Sequence, residues 1–568
     1  MAFPPPFRVP RFARAWPFVP PVLAGLLLRI WGLSGQILLD DEWHSLNFVL
    51  DKTFLDTLAT HGLGANCIPQ NALNWLLLHT VGWSEIALFA PAVLSGVLGL
   101  LIFPGLVSRL AGRSVALWFS WLFALSPCVI FYSRIVRPYS MVLFFGFLSL
   151  LHLGLWIRAG RRRHLVGYVL AGFAAIYFHL YAALPVLAPL AAQGLLALGR
   201  RQPPNEAPWL SLKALLAAGL AMAGLLAIFL GPAHWQNPWW LQALARDRVT
   251  ARGLWDFLSL LAGTGSPFGK LLFAALAGTG LRAWLGRDFR GGLLWASVWG
   301  AFFLLLIFAT QDGMHAGIQI ARYNIVLFPV ATLLAAGALD ALLGRLRPAV
   351  QIGAGVLVVG GLAAGSPLWR TLAPPNNFMH HSAFQDSYAP FDWSQSRLRL
   401  LTPLPQMPAA RIPPYYAAIA ADPRIRGIVE YPMYVGDPLN FHYFYQHVHR
   451  KPVAVGYEPD APFAPLPSRN DYVYQVTPVD YVFSRARACG LADRMRFRNL
   501  VSLADPDRLR RDFSGWLLII HRDVLRETLN VRLEGGNAEP TARRLAALEA
   551  DFGPPAQADA QLLAWRIP

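Results

Sequence analysis

Charge is scarce in this sequence: of 568 residues, 14% are Asp, Glu, Lys or Arg and 55% are hydrophobic, where soluble globular chains carry about a quarter charged residues. That balance argues against a soluble cytosolic enzyme. Cysteine is nearly missing too, with only Cys67, Cys128 and Cys489 present. Cys128 falls in an apolar stretch, so at most one bridge, between Cys67 and Cys489, is possible, and both a disulfide-stapled domain and a CxxC-type metal site are excluded. Lysine occurs only at positions 52, 213, 270 and 451, leaving arginine to carry the positive charge. Nor does a GxGxxG, Walker A or DxD pattern stand where it could hold a nucleotide.

What is abundant is long apolar sequence. Stretches such as 211–231 (SLKALLAAGLAMAGLLAIFLG) are long enough to cross a hydrocarbon core of about 30 Å. Eleven candidate spans follow, near 17–34, 86–107, 115–132, 139–157, 165–179, 182–198, 212–231, 270–284, 292–309, 323–343 and 349–367. The first follows three arginines and has no small-residue cleavage site after it, which makes it a retained helix rather than a signal peptide.

The formal charge is +17, and its distribution decides what it means. Residues 1–368 hold 26 Lys+Arg against 12 Asp+Glu, whereas 369–568 hold 23 against 20. The excess forms no nucleic-acid face, because it is spread over alternate loops: Arg8, Arg11 and Arg14, then Arg109/Arg113, Arg158 with Arg161, Arg162 and Arg163, Arg200/Arg201 with Lys213, Arg287/Arg290 and Arg345/Arg347. That is the positive-inside pattern. It predicts a cytoplasmic N-terminus and, after an odd number of crossings, an extracytoplasmic segment 369–568. Asp40, Asp41, Glu42, Asp51, Asp56, Asp247, Asp256 and Asp312 then all fall outside.

On the predicted outer side, segments 35–85 and 232–269 are long, the second with a Trp-rich stretch (HWQNPWWLQAL) expected to lie at the interface as an amphipathic helix. The densest charge is LLDDEWHS, directly after the first span. It reads either as a solvated acidic loop or as a place where mutual repulsion raises one carboxyl's proton affinity and suits it to act as a base. The second signal is FYSRIVRPYS, residues 131–140, where Arg134 and Arg137 stand at the outer surface against the positive-inside trend. Such arginines either snorkel to lipid headgroups or hold a phosphate through bidentate hydrogen bonds. Arg322 in QIARYNIVLFP repeats the pattern.

The order of these pieces resembles a family. Asp41 and Glu42 after the first helix, then NALNWLLLHTVGWSEIALFAPAVLSGVLG, ALSPCVIFYSRIVRPYS, YFHLYAALPVL and ARYNIVLFP together look like the GT-C superfamily of polyprenyl-phosphate-sugar glycosyltransferases, whose members include protein O-mannosyltransferases and the lipid A aminoarabinose transferase. The likeness covers about residues 15–345. Two departures stand out: Gln70, Asn71 and Ala72 replace a frequent Pro-Pro pair, and Ile135 stands where many relatives have an acid. They leave the donor sugar and the acceptor open.

The resemblance implies a membrane-embedded, GT-C-like catalytic domain over 1–368, with inverting transfer of a hexose or pentose from a polyprenyl-phosphate donor to a protein, lipid or glycan outside the cytoplasm of a bacterial inner membrane. Asp41 would be the base and Glu42 would orient the loop or the acceptor. Arg134, Arg137, Arg322 and His179 would bind the donor phosphate. No cofactor is certain, although a divalent cation is compatible with the superfamily, and no nucleic-acid partner is expected. Two other classes remain: a transporter or lipid flippase, disfavoured by the absence of internal repeats and mid-membrane charges, and a non-catalytic envelope assembly protein with the same fold.

From about 370 onward hydrophobic density falls and proline rises. Short runs at 427–432, 451–457, 516–521 and 562–567 alternate with helix-like YYAAIAADP and ARRLAALEADF, which predicts an extracytoplasmic α/β domain over 369–568 with a largely parallel sheet. His442, His447 and His449 cluster there among aromatics, but no carboxylate accompanies them in the sequence to complete a metal site.

Overall fold

The structure, a computed structural model, describes residues 16–31, 33, 49, 52–60, 67–82, 84–199, 209–236, 248–308, 317–344, 346–365, 413–431, 448–449, 451, 453–457, 500–502, 506–522 and 539–568. The first part is all helix: α1 Val19–Ile30, α2 Phe54–Ala59, α3 Ile68–Thr80, α4 Glu85–Ala111, α5 Arg113–Ala124, α6 Pro127–Tyr132, α7 Tyr139–Ala159, α8 Arg162–Phe178, α9 Ala183–Gly199, α10 Leu212–Gln236, α11 Ala251–Ala262, α12 Pro267–Arg287, α13 Phe289–Phe308, α14 Gly317–Tyr323, α15 Leu327–Leu343 and α16 Pro348–Gly365. The described residues of the eleven apolar segments read from the sequence lie largely on these helices, without establishing eleven crossings. Among the described residues, five helices are long and apolar enough to cross a membrane singly, and up to seven spans result when two bent pairs each count as one. This is an integral membrane protein.

Burial sorts the helices. In α7, 83% of the apolar window is buried inside the protein, against 17% in α10, so α7 is a central helix and α10 a peripheral one with its apolar surface left to lipid. The other central helix is α15, buried from Leu327 through Ala336 and again at Ala338 and Leu339. An aromatic stack of Phe103, Phe119, Phe123, Phe144 and Phe147 joins α4, α5 and α7, with centroids as close as 5.0 Å. Elsewhere two helices meet backbone to side: a Cβ at Gly280 of α12 would collide with the Leu334 carbonyl oxygen of α15, so only glycine permits that approach.

Breaks in the helices have local causes. The expected span 115–132 is two helices, α5 and α6, because Pro127 has no N–H to continue the ladder and restricts Ser126 before it to an extended conformation. Four helices that the hydropathy pattern missed, α2, α3, α11 and α14, are short and partly polar. Of these, α11 meets α12 at 74° and α14 meets α15 at 89°. A side chain at Gly317 would press on the Phe257 amide, so α14 lies directly on α11. The Trp-rich stretch begins in the last turns of α10, and its remainder lies outside the described residues.

The second part carries a six-stranded sheet: β1 Ile428–Tyr431, β2 Val453–Tyr457, β3 Leu500–Ser502, β4 Leu517–His521, β5 Gln557–Ala558 and β6 Leu562–Arg566, in the order β3-β2-β1-β4-β6-β5. Strands β3, β2, β1 and β4 are parallel, while β6 runs antiparallel to β4 and β5 antiparallel to β6. The helices are α17 Tyr415–Ala421, α18 Pro506–Phe513 and α19 Glu539–Phe552. Alternate residues of β1 and β4 feed two cores, Ile428, Leu517 and Ile519 with Tyr416 and Ile419 on one face, and Val429, Leu518 and Ile520 with Leu509, Phe513 and Leu548 on the other. Both faces are covered, which explains the unbroken apolar run LLII in β4.

Candidate active site

The buried segment 131–140 organises one end of the bundle. All ten of its residues are buried, so Arg134 and Arg137 are inside the protein rather than spread on its surface, and the snorkelling alternative loses its geometric basis. Ser133 closes the turn by donating from Oγ to the Ile130 carbonyl at 2.7 Å. On the other side, Ser140 Oγ donates to the Ala92 carbonyl at 2.8 Å and ties the start of α7 to α4. Gly96 of α4 is needed here, since a Cβ would lie 2.6 Å from Ser133 Cβ and 3.0 Å from Arg29 Nε.

Within that turn the two arginines have different company. Arg134 is fully buried, and its Nη1 donates to the carbonyls of Leu28 at 3.0 Å and Trp31 at 2.8 Å. A cation on the last carbonyls of a helix is favoured by the helix dipole and satisfies acceptors left open there. It therefore fixes the end of α1, the point from which the chain runs into the acidic motif. Arg137 instead faces the ring of Tyr139, its guanidinium carbon 5.8 Å from the centroid.

Two further elements arrive at the same ring. Arg322, in the last turn of α14, has its guanidinium carbon 5.9 Å from the Tyr139 centroid and 4.9 Å from that of Tyr323, whose hydroxyl accepts from Nη2 at 3.0 Å. Asn324 seals the helix end by donating from Nδ2 to the Ile320 carbonyl at 2.9 Å before the chain bends into α15. His179 leaves the end of α8 in extended conformation and lies 5.9 Å from Tyr139 and 5.6 Å from Tyr323 between ring centroids. Its Nδ1 accepts from the Tyr181 amide at 3.3 Å, so in the neutral ring the proton sits on Nε2. Tyr181 stacks on Tyr323 at 4.7 Å.

The structure thus brings Arg137, Arg322 and His179 together around Tyr139 and directs Arg134 to the first helix. Asp41 and Glu42 lie outside the described residues, as does Cys489. The three tyrosines were not singled out from sequence; their only signal was adjacency to the arginines in RPY and ARY and to the histidine in HLY. Two guanidiniums among phenols and an imidazole, all largely withdrawn from water, can receive a phosphate by charge-assisted hydrogen bonds that low dielectric strengthens. No metal-capable group of three His, Cys, Asp or Glu occurs among the described residues. In the second part, His449 is buried and stacked on Tyr416, whose hydroxyl donates to both Glu430 oxygens at 2.8 and 3.0 Å, while His442 and His447 are outside the described residues.

No protein-family model matches the chain, and no curated protein does. Solved structures do. The chain is similar over 98% of its length and 98% of theirs to two crystal structures of ArnT from Cupriavidus metallidurans, at 16% identity, with TM-scores of 0.51 for the apo state and 0.49 for that bound to undecaprenyl phosphate. It is also similar, at 12% identity and a TM-score of 0.43, to the archaeal oligosaccharyltransferase AglB from Archaeoglobus fulgidus in complex with an inhibitory peptide and a dolichol-phosphate, covering 91% of this chain and 70% of that one. The fold is the one seen in apo ArnT. At 16% identity to apo ArnT the likeness extends to the fold and stops there.

Proposed function

We propose that this protein is an inverting glycosyltransferase that moves a sugar from a polyprenyl-phosphate donor to an acceptor on the extracytoplasmic side of a bacterial inner membrane. The observation that carries the reading is the convergence of Arg137, Arg322 and His179 on Tyr139 at one end of the central helix of a GT-C fold. From Tyr139 to Arg158, α7 rises roughly 29 Å at 1.5 Å per residue, close to the hydrocarbon thickness of a bilayer. The Tyr139 end therefore lies at one membrane surface and Arg158 near the other. The arginine-rich loops join the helices at the Arg158 end, which makes it cytoplasmic by the positive-inside rule and the Tyr139 end external.

The chemistry follows from the charges. An acceptor hydroxyl attacks the anomeric carbon, the bond from that carbon to the phosphate oxygen breaks, and the acceptor's proton passes to Asp41. Polyprenyl phosphate departs, and Arg137 and Arg322 stabilise the negative charge that gathers on it, with Nε2–H of His179 as a further donor. Arg134 acts mainly on the geometry by holding the exit of α1, and Glu42 orients the loop that carries the base. The segment 369–568 is an extracytoplasmic α/β domain in this reading. No step requires a cofactor, and dependence on a divalent cation is a separate property to be measured. Purified protein incubated with a panel of polyprenyl-phosphate sugars and envelope acceptors tests the proposal: mass analysis should find one sugar added to an acceptor, and no transfer from any donor would refute it.

A further inference from the structure

Helix α3 buries three carboxamides within five residues: Gln70 is 1% exposed, Asn71 2% and Asn74 none. Apolar packing alone would not select them, because an amide taken out of water costs free energy unless its hydrogen bonds are remade. Part of that requirement is met within the helix, where Gln70 Nε2 donates to Asn74 Oδ1 at 2.8 Å, one turn on. The same bond fixes the Gln70 side chain and leaves its carbonyl oxygen, Oε1, buried and with no hydrogen-bond partner among the described residues. An acceptor held in one orientation without a donor is poised to receive one from a bound molecule.

Its place in the fold indicates which molecule. Helix α3 packs against α8, the helix that ends at His179, and it stands in the segment that joins the acidic motif to α4. Gln70 is thus on an element that borders the Tyr139 end. A phosphate would be repelled by a carbonyl oxygen, whereas a hydroxyl would donate to it. We infer that Gln70 reads a hydroxyl of the sugar on the lipid-phosphate donor through Oε1, with Asn74 as the positioning residue that fixes its orientation. The inference rests on the donor-phosphate reading of the Arg137–Arg322 cluster and assigns the sugar's contact within that same site.

The test separates the two. Binding of a polyprenyl phosphate and of the matching polyprenyl-phosphate hexose is measured on the full-length protein in detergent, for wild type, Gln70→Met, Asn74→Leu and Arg137→Ala. Wild type should bind the sugar-bearing lipid several-fold more tightly than the sugarless one. Gln70→Met should lose that preference while still binding the sugarless lipid, which also shows that the variant is folded, and Asn74→Leu should lose it in part. Arg137→Ala should weaken both lipids alike. A Gln70→Met protein that keeps the full preference overturns the inference and leaves the phosphate reading standing. So does a wild type that binds both lipids equally. Wild type that binds neither lipid overturns the phosphate reading, and the sugar contact with it.

Discussion

The two ends of α7 carry arginine in contrasting surroundings. At one end Arg158 is half-exposed, donates to the Leu110 carbonyl, lies over Trp284 at 5.5 Å, and is 3.5 Å from the Asp288 carboxylate. A cavity there is also lined by Arg287 and Asp340, so both signs of charge are present. At the other end Arg137 and Arg322 are buried among tyrosines and a histidine. The first arrangement is what a helix bundle needs at a membrane surface: an arginine whose carboxylate partner, helix carbonyl and water share its charge. The second concentrates cations around an aromatic ring where water is scarce, which is costly for structure and useful for an anionic ligand.

The largest expected effect falls on Asp41, the proposed base. Asp41→Asn should keep expression and donor binding and slow transfer by at least about 10²-fold, the usual scale for a positioned base; unchanged turnover in a transfer assay would reassign that role to Asp40 or Glu42. Next comes the shape of the cation at the Tyr139 end. Arg137→Lys preserves charge but loses the planar two-pronged donor, and should lower donor affinity by roughly tenfold or more, in keeping with about 1.5–3 kcal/mol for a charge-assisted hydrogen bond. Full affinity in the lysine variant would mean that charge alone matters there.

A stability effect should appear between the two ends. Gly280→Val drives a side chain into the Leu334 carbonyl, and the resulting overpacking should cost about 1–3 kcal/mol, read as a lower thermal midpoint in detergent; an unchanged midpoint would show that α12 and α15 separate freely. The smallest effect lies in the sheet part. Hydrogen bonds from the Arg424 side chain and amide, with the charges of Arg424 and Arg566, hold the Asp422 carboxyl below the ordinary aspartate range. A lowered folded-state value means that this stabilisation is complete above the unfolded value near pH 4 and is lost as pH falls below it. Urea unfolding, followed by hydrogen exchange of the β4 amides, should therefore need less urea below pH 4, and Asp422→Asn should flatten that dependence.

How much of this was legible in the sequence depended on length and period. Long apolar runs announce helices because little else can satisfy the backbone in lipid, so α4, α7, α10 and α13 could be placed to within a few residues. Strand β4 was readable for a similar reason, since WLLIIH is apolar on both faces, whereas three-residue β3 and two-residue β5 carry no pattern of their own. Short α3, α11 and α14 were invisible because they are only partly apolar, and α11 and α14 bury one another from positions far apart in sequence. Of the candidate site, the arginines stood out by violating the charge asymmetry. Tyr139, Tyr181 and Tyr323 had no such signal, since nothing in their spacing tells that the start of α7 meets the ends of α8 and α14. That Arg134 would turn to α1 and Arg137 to Tyr139 depends on a buried turn whose geometry is set by contacts with α4.

Arg137→Ala and Arg158→Ala, compared in one single-turnover assay of sugar transfer from a polyprenyl-phosphate donor, test the central claim most directly. The account predicts that transfer collapses in Arg137→Ala and persists in Arg158→Ala, which should lose no more than about 1 kcal/mol of stability for its half-exposed ion pair. Transfer that survives in Arg137→Ala and fails in Arg158→Ala would place the chemistry at the opposite end of the bundle and contradict it.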